Sequence, residues 1–242
     1  MNKVIRAEFG RTINAGLIIA IAGIIFSICF DSFNDLIAGL RNGQGYVGYF
    51  FSNAAFGGMC THYMLPVFTA LPFSVSLCQE RNNKAVSYIV SREGKNRYIF
   101  AKFIVSAISG GFVAACGTVL LFLMLAMRFP IAGDEFEGAV VSDYFHEWSA
   151  VYYPQLYILT LSILAFCRGV IWSSLALCVS LYTSDFMVVL LSPFLGSYVL
   201  VRIFQIIRVP DMVRPDMILI GQVVIKSSGL TLLIAIAISL TI

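Results

Sequence analysis

Residues 103–127 read FIVSAISGGFVAACGTVLLFLMLAM, a stretch of 25 residues without a charged side chain. A helix needs about 20 apolar residues to cross the hydrocarbon core of a bilayer, so this stretch predicts a transmembrane helix. Small residues recur along it at helical spacing, which favours close helix packing over a position on a substrate path. These residues are Ser106, Gly110, Gly111, Ala114, Ala115 and Thr118.

The composition of the whole chain has the same apolar character. Of its 242 residues, 59% are hydrophobic and 12% are charged, and the mean hydropathy is +0.88. A soluble domain carries about 25% charged residues. The composition therefore excludes a disordered chain, a secreted disulfide scaffold and an ordinary cytosolic enzyme. The apolar residues form continuous runs without alternation, so we expect an all-α integral membrane protein and no barrel.

Apolar runs elsewhere predict five more spans, which together form a single transmembrane domain over residues 1–242. The six predicted spans cover about residues 12–30, 59–78, 103–127, 154–181, 186–204 and 217–242. The first run is too long for the apolar part of a signal peptide and no A-x-A cleavage site follows it, so we expect an uncleaved span. Residues 42–58 are rich in Gly and polar groups, and we place them outside the hydrocarbon core or in its interface.

The distribution of Lys and Arg predicts that both termini lie in the cytoplasm. Segments 1–11 and 79–102 hold nine of the sixteen Lys and Arg residues, whereas loop 130–153 carries five acidic residues and no base. Arg208 and Arg214, before the last predicted span, run against this bias. A bacterial plasma membrane is the expected location.

The sequence lacks the motifs of catalytic and metal sites. The closest approach to a P-loop, EGKN at residues 93–96, lacks the leading Gly and the Ser or Thr that would hold Mg²⁺. Neither G-x-S-x-G nor H-E-x-x-H occurs, and His62 and His146 have no carboxylate and nucleophile at a suggestive spacing. The six cysteines form no C-x-x-C motif. We therefore expect no catalytic residue and no metal ligand.

A second informative stretch, residues 79–102, reads QERNNKAVSYIVSREGKNRYIFAK. It is far longer than the connection of about four residues that two spans require. Polar and apolar side chains fall on different sides of a short helix, and a glycine then permits that helix to end. They are Glu80, Lys84, Ser87 and Ser91 on the polar side, Val86, Ile89 and Val90 on the apolar side, and Gly94 at the end. Contact with anionic lipid and docking of a protein both agree with this pattern.

This layout resembles the membrane subunit of a type-2 ABC exporter over the whole chain. The local resemblance lies in Glu80 at the inner end of the second predicted span, the short helix, Ser91-Arg92 with Arg97, and Ala101-Lys102 opening the third span. The resemblance implies that residues 81–90 form the coupling helix, which sits in a cleft of the ATPase subunit. The docking residues that it implies are Glu80, Arg81, Lys84, Ser87, Tyr88, Ser91, Arg92 and Arg97.

The resemblance also implies partners and a cargo. Separate ATPase subunits would bind ATP and Mg²⁺, and a second permease subunit, identical or paralogous, would share a central path. Asn2–Arg11 would form an interfacial helix against lipid. The cargo would be a hydrophobic or amphipathic peptide or toxin. The alternative is a secondary transporter without an ATPase partner, which would show paired ionisable groups at the bilayer midplane or an inverted repeat.

Arg168 is the most informative single residue. It lies in the middle of the fourth predicted span, where an Arg costs about 2.5–3.5 kcal/mol on insertion scales, so it should face protein or water. Two interpretations are open: bonds to backbone carbonyls at a helix break beside Gly169, or a place on the translocation path. Lys226 lies nearer the end of its span and can extend its amine to the interface. Local pairing is expected among Arg208, Asp211, Arg214 and Asp216.

Overall fold

The structure is a computed structural model that describes residues 2–42, 47, 58–74, 76–130, 154–210, 213–220 and 228–241. Most of the Gly-rich segment 42–58, the five acidic residues and His146 of loop 130–153, Asp211 and Lys226 lie outside the described residues. Predictions made for those positions therefore stay predictions.

The described residues are predominantly helical and form no strand. The helices are α1 Asn2–Thr12, α2 Ala15–Asp31, α3 Phe33–Asn42, α4 Met59–Ala70, α5 Ser76–Asn82, α6 Ala85–Glu93, α7 Lys95–Ala126, α8 Pro154–Ser180, α9 Phe186–Ile207, α10 Pro215–Ile220 and α11 Ser228–Thr241. This confirms the predicted all-α class.

Three helices, α7, α8 and α9, are long and apolar enough to cross a bilayer. The pair α2 and α3 makes a fourth candidate if it counts as one span, although the two helices are bent by 72°. The described residues thus agree with a membrane-embedded protein, with three or four candidate spans where the sequence predicted six. The longest helix, α7, begins at Lys95, ahead of the predicted start at Phe103.

The second predicted span, residues 59–78, is divided into α4 and α5 by a turn at residues 71–74. Pro72 lies in this turn and has no N–H to continue a helix. Ser74 is buried there, with its hydroxyl 3.0 Å from that of Ser106 and donating to the carbonyl oxygen of Ser173 at 3.0 Å. Groups of α7 and α8 therefore satisfy the buried Ser74 hydroxyl at the break.

The structure also does not describe the last predicted span, residues 217–242, as one continuous helix. Its first part is the short helix α10, and α11 follows after residues 221–227, which lie outside the description. Ile218 and Leu219 of α10 belong to a buried apolar cluster with residues of α8, among them Leu164 and Cys167. This packing places α10 beside the middle of α8.

The contact between α7 and α8 is the most extensive helix pair in the described part of the chain. A Cβ atom on Gly169 would lie 2.4 Å from the carbonyl oxygen of Gly110, and a Cβ atom on Gly110 would lie 2.4 Å from Cβ of Ser173. Both distances are below van der Waals contact, so only glycine fits. The small residues of α7 therefore serve helix packing, as predicted.

Candidate functional site

The candidate site is the segment of residues 76–98, which runs through α5 and α6 into the first turn of α7. Helix α6 begins at Ala85, so the predicted start at residue 81 is wrong. The chain turns at Asn83 and Lys84 instead, because Asn is a weak helix former and Lys84 adopts the left-handed conformation with φ 56°. The helix stop at Gly94 is confirmed, since Gly94 has φ 85° and its N–H bonds to the carbonyl oxygen of Val90.

Helix α6 has one apolar and one polar face, as the sequence predicts. Val86, Ile89 and Val90 pack against a buried cluster that includes Leu177 of α8 and Tyr98 of α7. The opposite face is open and carries Ser87, Ser91 and Tyr88, whose side chain is 78% exposed. The Ser87 and Ser91 hydroxyls donate to the carbonyl oxygens of Lys84 and Tyr88, respectively, at 3.1 and 2.9 Å. Tyr88 is therefore the large exposed side chain on the described part of this face.

Glu80 lies at the centre of an ion-pair network that joins three helices. Its Oε1 atom lies 2.8 Å from Nζ of Lys102 on α7 and also pairs with Arg11 of α1, and its Oε2 accepts a hydrogen bond from the Tyr98 hydroxyl. Glu8 of α1 completes the network, because its carboxylate lies 3.0 Å from Lys102 Nζ and 3.2 Å from Arg11 Nη1.

The network balances its own charge, since two carboxylates meet two cations. Lys102 is the most buried charged member, with a side chain 1% exposed. Its ammonium also lies 4.9 Å from the ring centre of Phe73 and 5.6 Å from that of Tyr98, distances at which a cation interacts favourably with a ring. Buried charges of this kind persist only when they are paired. The network therefore holds α5 against α1 and α7.

Arg81 attaches the same helix to the end of α8. It donates from Nη1 to the carbonyl oxygens of Ser180 and Leu181 at 3.1 and 3.0 Å. These carbonyls lie at the carboxyl end of α8, where no intrahelical donor remains. The neighbouring Asn82 donates to the carbonyl oxygen of Ser184 at 3.3 Å. Arg81 thus has a structural role that the sequence did not indicate.

The predicted docking residues consequently divide into two groups. Glu80 and Arg81 anchor the segment within the protein, whereas Lys84, Ser87, Tyr88, Ser91 and Arg97 are exposed. Arg92 lies in α6, but its side chain is outside the description.

Sequence reasoning missed two members of the network, Glu8 and Tyr98, and assigned Arg11 only to the membrane surface. One signal was present: Glu8 is the only acidic residue among residues 1–30, and it lies three residues before Arg11. That spacing places both side chains on one face of α1. Nothing in the local pattern indicated that this face meets α5 and α7.

Arg168 lies in a second, separate place at the centre of α8. It is 6% exposed, and it lines a small cavity of about 20 Å³ together with Thr61 of α4 and residues of α2, α7 and α10. Helix α8 continues without a break through Gly169, so the predicted helix break is wrong. No described residue forms a hydrogen bond or ion pair with Arg168, and the buried Thr61 hydroxyl also lacks a described partner. The cavity has room for about one water molecule.

Further ionisable groups lie near this cavity. Arg214 and Asp216 form a buried pair, with Nη2 2.7 Å from Oδ2 and Nε 3.3 Å from Oδ1, which confirms the predicted local pairing for these two residues. Arg168, Arg214 and Asp216 are all close enough to His62 of α4 for their charges to act on its ring. Helices α4, α8 and α10 thus bring together groups that are far apart in sequence.

The sequence matches no protein family, no curated protein and no solved structure at a significant level. The fold and the two sites define an all-helical protein compatible with a membrane.

Proposed function

We propose that this chain is the membrane permease subunit of an ATP-driven exporter of the ABC class, with α6 as the helix that docks on an ATPase subunit. One observation carries the proposal: α6 presents an open polar face around Tyr88 while the preceding helix is attached to the membrane helices by Glu80 and Arg81. A short exposed helix with rigid attachments is suited to receive force from a partner.

The attachments supply a physical route for coupling. A displacement of α6 would reach α7 and α1 through the charges around Glu80, and α8 through Arg81. A packed core responds to such a displacement by switching between discrete arrangements and does not deform continuously. ATP binding to the partner would then bias the permease between inward and outward access. ATP and Mg²⁺ belong to that partner, and this chain contributes no catalytic residue.

A second permease subunit, identical or paralogous, completes the proposed assembly. Helix α9 supports this part, because only 17% of its most apolar stretch is buried within the described part of the chain. Its open surface is available to lipid and to a second subunit. In this arrangement both termini and α6 lie in the cytoplasm of a bacterial cell, and the chain crosses the plasma membrane six times.

The proposed cargo is a hydrophobic or amphipathic peptide or toxin. The apolar helix surfaces support a cargo of this kind, and Arg168 is the candidate residue on its path. The cavity beside Arg168, at about 20 Å³, is far smaller than such a cargo. Under the proposal, that region therefore opens during the transport cycle.

Co-purification with an ABC-type ATPase encoded beside this chain tests the docking helix. Tyr88→Ala is expected to weaken the association at least tenfold, because an exposed aromatic residue at the centre of an interface is a typical hot spot. Tyr182→Ala is the matched control, since Tyr182 is 89% exposed and lies in the turn after α8, outside the docking face. Equal effects of the two variants, or no effect of Tyr88→Ala, would contradict the docking assignment.

A secondary transporter is the second candidate, favoured by the ionisable groups around His62. Such transporters commonly carry paired ionisable groups at membrane depth, and Arg214–Asp216 is a buried pair. Vesicles containing the chain alone, given a proton gradient and a fluorescent cationic amphipathic peptide, separate the two candidates. Uptake without an ATPase, and its loss in Asp216→Asn, would favour the secondary transporter. Uptake that requires both ATPase and ATP would favour the exporter.

A further inference from the structure

A large cavity lies behind α6, between this helix, α7 and the end of α8. Its volume is about 660 Å³, within the range of about 300–1,000 Å³ typical of ligand sites. Its apolar lining comes from four segments of the chain and includes Leu77, Val86, Val90, Ile99, Phe103 and Leu177. A space of this size and polarity suits a hydrocarbon chain.

Cations surround the apolar lining. Arg81, Lys84, Lys95 and Lys102 all line the cavity, and no acidic residue does so in the part of the chain that the structure describes. Lys102 is neutralised by Glu8 and Glu80. Among the described residues, Arg81 bonds to neutral carbonyl oxygens and forms no ion pair, so these partners do not compensate its charge.

Lys84 and Lys95 are the exposed ammonium groups of the lining, and neither forms an ion pair with a described residue. They lie at the two ends of α6, where the backbone turns through Lys84 and Gly94. Together with Arg81 they place uncompensated positive charge beside an apolar space. A soluble anion would satisfy the charge but leave the apolar space unfilled, whereas an amphiphile with an anionic head satisfies both.

We infer that the cavity behind α6 binds one anionic phospholipid, with an acyl chain among Val86, Val90 and Leu177 and the phosphate at Lys84 and Lys95. Basic pockets between membrane helices bind anionic headgroups in this way. The cavity is lined by the same apolar face that attaches α6 to α7 and α8, so the bound lipid sets the position of α6. The site goes beyond the proposed function, because lipid would bind here whether or not an ATPase docks.

The headgroup is tested by native mass spectrometry of the full chain in detergent, with phosphatidylglycerol or phosphatidylcholine added. Phosphatidylglycerol is expected to bind as one retained adduct and phosphatidylcholine much more weakly. Lys84→Ala/Lys95→Ala should weaken phosphatidylglycerol binding about 30-fold, from the usual contribution of two basic residues near anionic lipid. Arg97→Ala/Arg128→Ala is the matched control, because it removes two exposed cations that do not line the cavity.

The acyl chain is tested by thiol labelling of the wild-type chain, which needs no variant. Cys178 lines the cavity and is exposed near the end of α8. Phosphatidylglycerol should slow its reaction with a maleimide at least fivefold, while glycerol phosphate, the headgroup chemistry without a chain, should leave the rate unchanged. Equal loss of lipid in the two double variants, equal binding of the two lipids, or protection by glycerol phosphate alone would each overturn the proposal.

Discussion

Nζ of Lys102 lies 2.8 Å from Oε1 of Glu80, and the Lys102 side chain is only 1% exposed. The pair joins α5 to α7, in addition to the bonds from Arg81 to the end of α8 and the apolar packing of α6. Because both charges are largely removed from water, each depends on the other and on the neighbouring Glu8 and Arg11. This makes the ion-pair network the point at which stability and the proposed coupling meet.

Lys102→Met should lower the free energy of unfolding by about 3–5 kcal/mol, because it leaves two carboxylates with one partly exposed cation. Unfolding of the purified chain in detergent, followed by heat or denaturant, measures this. Lys95→Met is the control at an exposed position on the same helix and should change stability by about 0.5 kcal/mol or less. Similar losses in both variants would show that the network does not stabilise the fold.

Arg81→Ala should loosen the end of α8 as well as any docking surface. The free energy of unfolding should fall by about 1–3 kcal/mol, because two carbonyl oxygens lose their charged donor. Hydrogen exchange of the amides at residues 181–184 should become faster. Arg97→Ala, which removes an exposed charge from the first turn of α7, should leave those amides unchanged. Unchanged exchange in Arg81→Ala would refute the anchoring role.

Gly169→Ala should force α7 and α8 apart. The added methyl group would lie 2.4 Å from the Gly110 carbonyl oxygen, and overpacking of this kind costs about 1–3 kcal/mol or more. Gly10→Ala is the control, since no atom lies within 4 Å of the added carbon. The melting temperature should fall for Gly169→Ala and stay equal or rise slightly for Gly10→Ala. A stable Gly169→Ala protein would show that the two helices are less closely packed than described.

Arg168→Leu should change stability and transport in opposite directions. Removing a buried charge that has no described partner should raise the free energy of unfolding, by up to about 3 kcal/mol on insertion scales. If the chain works as the proposed exporter, transport of an amphipathic peptide after reconstitution with its ATPase should fall at the same time, and Arg168→Lys should retain part of it. A destabilised Arg168→Leu protein with a normal transport rate per folded molecule would assign Arg168 to the structure alone.

The apolar runs of the sequence predicted α7, α8 and α9 well, because a long charge-free run has few alternatives to a membrane helix. The amphipathic faces of α6 and its end at Gly94 were predicted for the same local reason. The sequence did not predict the start of α6. Whether residues 76–93 form one helix or two depends on how α5 packs at the end of α8. The predicted second span is not one helix, because the chain turns at Pro72, which has no N–H to continue it. Ser106 and Ser173, distant in sequence, bond to the buried Ser74 hydroxyl in this turn, a contact that no local pattern indicates.

By itself, the sequence determined the helical class, the membrane-compatible composition and the existence of a basic amphipathic segment, since these follow from composition and local periodicity. Only the tertiary structure decided which charges meet. Glu8 and Lys102 are 94 residues apart in numbering and form a buried pair, while Arg168 is left without a described partner. In a medium of low dielectric constant, the interaction energy of two buried charges changes strongly over a few ångströms. Helix packing sets the distance between them, so the sequence alone does not show which charges pair.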